Sequence, residues 1–110
     1  MSEIKCTMNK GFHIKFDNGL TLSVQFGRGN YCDNRDYSRL DMPFCDDDYD
    51  PCRNAEIAVF DREGDLVPIS ERDDVAGYVD INHVLDFIDV VRKLPSSVNR
   101  GNWREFVAAV

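Results

Sequence analysis

The chain lacks any stretch of about 18 apolar residues, so no segment is suited to cross a membrane as a helix. Its opening residues, Met-Ser-Glu-Ile-Lys-Cys, lack the apolar core of a secretory signal, and the expected address is the cytoplasm. Basic residues are in the minority, 13 Lys and Arg against 20 Asp and Glu, for a net charge of −7. Neutralising a phosphate backbone needs clustered cations, so direct nucleic-acid binding is not expected. None of the four cysteines (Cys6, Cys32, Cys45 and Cys52) forms a CxxC pair, which weakens any zinc signature. In a reducing compartment the expectation is buried free thiols. A metal site on Cys32, Cys45 and Cys52 and a disulfide are the alternatives. No cofactor is otherwise expected.

What is present suffices for a fold. A chain of 110 residues with 43% hydrophobic residues and seven Phe can close one core, and one domain is expected over residues 1–110. Residues 12–26 alternate on both sides of Asp17-Asn18-Gly19. A two-residue Asn18-Gly19 turn would set Phe16 opposite Thr21 and put the apolar faces out of step. A three-residue loop pairs Phe16 with Leu20, Ile14 with Leu22 and Phe12 with Val24, with Gly19 in the left-handed conformation of a type I turn and G1 bulge. The opposite face, His13, Lys15, Thr21, Ser23 and Gln25, should be wet.

The device recurs at 55–69, where Arg62-Glu63-Gly64 pairs Asp61 with Asp65, Val59 with Val67 and Ile57 with Ile69. Two carboxylates face each other there, an electrostatically poor pairing that could let the turn open by a residue on each side. Pro68 cannot donate to a ladder and marks an edge.

A short strand is expected at Val75–Val79. Asp80 reads as an N-cap for a helix at about 81–94, in which Ile81, Val84, Leu85, Ile88 and Val91 recur at helical spacing and Phe87, Val90 and Leu94 widen the stripe. Arg92 and Lys93 suit its C-terminal end and Pro95 stops it. The Phe12/Ile14/Phe16 face offers a surface for this stripe. A short last helix follows Asn102, with Trp103, Phe106, Val107 and Val110 on one side. Exposed, that side would suit a homodimer; buried, it is core. The expected fold class is α+β: an antiparallel sheet from two hairpins packed by one amphipathic helix.

Between the hairpins, residues 27–54 are too long for an ordinary connection, and such loops in compact domains are often functional. Arg28, Arg35 and Arg39 stand early in it, and five Asp fall between Asp41 and Asp50. The glycines and arginines could hold a phosphate or carboxylate, although no nucleotide fingerprint is complete. The Asp run lacks the spacing of a calcium loop. Arg and Asp halves could pair with each other, or meet a partner. Tyr31, Tyr37, Phe44 and Tyr49 favour recognition, since aromatics with Arg are typical interface anchors. The candidate binding residues are Arg28, Tyr31, Arg35, Arg39, Asp46, Asp47, Asp48 and Tyr49. His13 and His83 have no local signature of catalysis, and no catalytic residue is assigned.

The run from Phe16 to Arg35, followed by Ala55-Glu-Ile-Ala-Val-Phe-Asp61, resembles small uncharacterised proteins of tailed-bacteriophage genomes. The resemblance spans about half of the chain and brings no functional residues with it. It implies expression inside a bacterial cell, where small acidic phage proteins often inhibit host enzymes or defence systems. The leading expectation is therefore an accessory protein that binds a host protein through its acidic surface and the 27–54 loop. A small-anion or nucleotide-sequestering protein using the loop arginines, and a metal-stabilised module, are the alternatives.

Overall fold

A computed structural model describes residues 2–7, 11–27, 29–35, 51–69 and 73–106. Among these residues six strands form one antiparallel sheet: β1 (Glu3–Cys6), β2 (Gly11–Lys15), β3 (Thr21–Gln25), β4 (Asn54–Phe60), β5 (Leu66–Val67) and β6 (Val75–Asp80). The order runs β1-β2-β3-β4, and the far edge of β4 is shared end to end by β5 and β6. Helix α1 (Ile81–Arg92) leaves β6 directly, and a 3-10 turn follows at Trp103–Glu105. This is the expected α+β class.

The first hairpin has the register that its hydrophobic pattern demands. Phe12 faces Val24 and Ile14 faces Leu22. The Phe16 N–H donates to Leu20 O at 2.9 Å, and Gly19 takes φ 88°. In the second hairpin Val59 faces Val67 as expected, but the pairing of Ile57 with Ile69 does not form. Pro68 ends β5, and Ile57 instead faces Ala76 of β6. The Asp61–Asp65 pairing forms as expected, and the turn stays closed, with the Asp61 N–H donating to Asp65 O at 2.8 Å. Asp61 is buried, and its Oδ1 accepts the N–H groups of Glu63 (3.0 Å) and Asp65 (2.9 Å). Hydrogen bonds to the carboxylate replace its lost hydration and outweigh repulsion from exposed Asp65.

Strand alternation sorts the side chains. Leu22, Val24, Ile57, Val59 and Val67 turn toward α1 and pack with Val84, Phe87 and Val91. The helix begins at the expected cap, where Asp80 accepts the Asn82 N–H at 3.0 Å. Its buried stripe is narrower than the pattern suggested: Ile81, Leu85 and Val90 are exposed. The helix lies over β4 and β6, so Phe12 and Ile14 on the β1 side are only partly covered. The helix thus rests on the β4–β6 side of the sheet rather than on the Phe12/Ile14 strand of the first hairpin.

Past α1 the chain folds back and Trp103 completes the core at 1% exposure, its ring edge-on to Phe87 with centroids 6.2 Å apart. Trp103 is therefore core, and it is not an exposed face for dimerisation. Phe106 is exposed, and the expected last helix amounts to one 3-10 turn within the described residues. Val107 and Val110 lie outside them. The His13 face is less wet than expected: Lys15 is exposed, but Ser23 is buried between His13 and Ala58 on the central strands. Among the described residues no helix is long and apolar enough to cross a membrane.

Candidate functional site

Residues 29–35 of the long loop form a tight series of turns pinned onto the β4–β6 end of the sheet. Asn30 Oδ1 accepts the Gly27 N–H (3.0 Å), Asn34 Nδ2 donates to Phe26 O (3.0 Å), and the Arg35 N–H donates to Cys32 O (3.0 Å). Two further bonds tie the loop to β4: the Tyr31 N–H donates to Glu56 Oε2 and the Asp33 N–H to Asn54 Oδ1, both at 2.8 Å.

The partner of this loop is a bulge in β6. Ala55 faces Val79 and Ile57 faces Ala76, so Gly77 and Tyr78 together oppose the single residue Glu56. Tyr78 stands at φ 53°, the left-handed region that a bulky residue rarely occupies, and its N–H donates to Tyr31 O at 2.8 Å. Gly77 is required by contact: a Cβ there would lie 2.7 Å from Tyr31 Cβ. Strain at Tyr78 is thus held in place by the loop it supports.

This arrangement places two tyrosine rings at the surface, Tyr31 at 51% and Tyr78 at 49% exposure. The Arg35 guanidinium carbon sits 4.4 Å from the Tyr31 ring centroid, and Arg35 Nη1 donates to Gly29 O at 3.1 Å. Tyr31, Gly77 and Tyr78, with Asp73, Asp74 and Val75, line a cleft of about 460 Å³. Asp74 is fixed by Arg100, whose Nη1 lies 3.0 Å from Asp74 Oδ2 and also donates to Leu66 O. The two tyrosine rings offer aromatic faces to a cationic side chain, with Asp73 and the Arg100-paired Asp74 on the rim.

Cys32 and Cys52 meet beneath the loop. Burial pushes the Cys32 thiol up to about 11, and the adjoining Cys52 thiol and Glu56 carboxylate act in the same direction. Cys32 therefore stays protonated and donates to Gly27 O at 3.4 Å, an inert thiol. Cys52 is half-buried, and Cys6 on β1 is exposed, contrary to the expectation of buried thiols throughout. The exposure follows from position, because β1 is an edge strand with little covering it. Cys45, the third candidate metal ligand, lies outside the described residues, and among those described no three metal-ligating groups converge.

Of the eight binding residues expected from sequence, the structure brings together Tyr31 and Arg35. Arg28, Arg39, Asp46, Asp47, Asp48 and Tyr49 lie outside the described residues. Asp73, Asp74 and Tyr78 were not among the residues expected. The available signal was Gly77, since a glycine within a strand pattern marks a bulge or a close approach. Neither a protein-family model, nor a curated protein, nor a solved structure matches the chain.

Proposed function

We propose that the protein is a binding module that takes a basic side chain of a partner protein into the Tyr31–Tyr78 cleft. One observation carries the reading. Two half-exposed tyrosines, one on the loop and one on the strained bulge, are joined through their backbones, with an arginine stacked on Tyr31 and Asp73 and Asp74 beside them. Tyrosine and arginine are the residues that most often anchor interfaces, and rigid anchors lose little entropy on binding. The net charge of −7 adds a long-range attraction for a basic partner. The resemblance to bacteriophage proteins makes a bacterial host protein the partner, met in the host cytoplasm, and inhibition the consequence.

The test is affinity purification from bacterial lysate with wild type, Tyr31→Ala and Tyr78→Gly as baits, read by quantitative mass spectrometry. Glycine adopts φ 53° without strain, so Tyr78→Gly removes the ring while keeping or raising the melting temperature. Wild type should retain a specific protein at least about tenfold over either variant, the loss expected for an interface anchor. Equal capture by all three baits would sink the assignment of this cleft.

A further inference from the structure

A second cleft, of about 410 Å³, lies between the two hairpin turns and reaches the β1 edge. Its lining includes Glu3 and Lys5 on β1, His13 and Lys15 on β2, Phe60 at the end of β4 and Arg62 in the turn beyond. None of its lining residues belongs to the Tyr31 cleft, so a ligand here is independent of the partner proposed for that site.

Charge is the first observation. The chain carries seven more acidic than basic groups, yet three of the nine described Lys and Arg residues line this one cleft. Among the described residues none of the three has an ion-pair partner; the pairs that form there involve Arg92, Lys93 and Arg100. Two acids share the lining, but Asp61 is engaged by the backbone of its own turn. The lining therefore sets Lys5, Lys15 and Arg62 against two carboxylates, Glu3, the cross-strand neighbour of Lys15, and Asp61, an excess of one positive charge.

Ring geometry is the second. His13 and Phe60 stand with centroids 5.9 Å apart, tilted at 44°, and make an aromatic wall beside the cations. Burial, with Lys5 adding to it, holds His13 below the ordinary imidazole value. The third observation concerns how Arg62 is placed. A Cβ on Gly19 would lie 2.8 Å from Arg62 Cγ and 3.0 Å from its Nε, so the arginine stem lies across the first turn where a glycine leaves room.

We infer that this cleft binds a nucleoside phosphate, the phosphate held by Lys5, Lys15 and Arg62 and the base laid against Phe60 and His13. The guanidinium fork matches two phosphate oxygens, and the lysines add point charges. The volume falls within the range of small-molecule sites, about 300–1,000 Å³. Neither ring nor charge alone accounts for the lining; a ligand with both does.

Calorimetric titration of the full chain at low salt tests this, using the four ribonucleoside monophosphates, the four nucleosides, inorganic phosphate and a single-stranded oligonucleotide. At least one monophosphate should bind with Kd below about 1 mM. Its nucleoside and inorganic phosphate should each bind at least about tenfold more weakly, the loss of one class of contact. The double variant Lys15→Ala/Arg62→Ala should lose about tenfold or more, and Arg104→Ala, an exposed cation elsewhere, should change nothing. Ligand-induced NMR shifts of the His13 and Phe60 rings in the unaltered protein supply a readout that needs no variant. No monophosphate binding, binding untouched by the double variant, or unmoved rings would overturn the assignment. Phosphate binding as tightly as the nucleotide would remove the ring contact. Far tighter oligonucleotide binding would replace the small ligand with a strand.

Discussion

The two hairpins share one turn and come to different ends. In each, the residue before the loop accepts its glycine's N–H and donates its own N–H across the turn: Gly19 to Phe16 O and Phe16 to Leu20 O, both 2.9 Å, then Gly64 to Asp61 O at 3.0 Å and Asp61 to Asp65 O at 2.8 Å. Both glycines take φ 88°. The first turn is tied outward. Asn18 Nδ2 donates to Val91 O and Leu94 O at 2.9 Å each, closing the C-terminal end of α1 with a side chain more than 70 positions away in sequence. The second turn is tied inward, through the Asp61 carboxylate to its own backbone. One turn locks the helix onto the sheet, and the other holds its own backbone while its Arg62 stem lies across the first turn. A turn motif thus specifies local geometry and leaves its tertiary role to the side chain it carries.

The contrast predicts unequal costs for matched substitutions. The largest should come from the strands behind the turns. Leu22→Ala, in the central strand β3, should cost about 2–5 kcal/mol in chemical unfolding, the range for a fully buried leucine. Val67→Ala on two-residue β5 should cost about 2 kcal/mol, since fewer buried carbons are removed. If the two losses came out equal, the second hairpin would be as much a part of the core as the first.

Next come the turn polar groups. Asn18→Ala and Asp61→Ala should each cost about 1–3 kcal/mol, the penalty for hydrogen bonds lost from partly buried groups. Hydrogen exchange separates them. Asn18→Ala should speed amide exchange at the end of α1, while Asp61→Ala should act on Glu63 and Asp65. Unchanged helix exchange in Asn18→Ala would mean that water takes over those carbonyls without consequence.

The smallest effects belong to the glycines. Gly64→Ala meets only the left-handed backbone, about 1 kcal/mol, because no described atom lies within 4 Å of the added carbon. Gly19→Ala meets the same backbone cost and must also displace Arg62, so its melting temperature should fall further. Equal losses would show that Arg62 moves aside freely, which would also loosen one wall of the basic cleft.

The parts of this fold that are legible in the sequence are those decided within a few residues. The register of the first hairpin follows from Phe12, Ile14 and Phe16 against Leu20, Leu22 and Val24, because a one-residue slip would turn the apolar face outward. Asp80 announces α1 because a side-chain acceptor at an N-cap needs no distant partner. Strand β1 was not legible: four exposed residues at an edge leave no periodic signal. Nor was the narrowing of the helix stripe, since Leu85 and Val90 are apolar whether or not a sheet reaches them. The candidate sites divide in the same way. Tyr31 and Arg35 were visible as residue types in an unusual loop, whereas Tyr78 acquires meaning only when β6 bulges against that loop.

Alternation, turn glycines and a capping aspartate therefore decide which hairpins and which helix exist, since each is set by local sterics and by hydrogen bonds that close within a turn. The pairing of β6 rather than β5 with Ile57, the docking of Asn18 onto α1, and the assembly of both clefts from distant strands were settled by tertiary packing. Each of those depends on which surfaces remain unburied once the local elements meet.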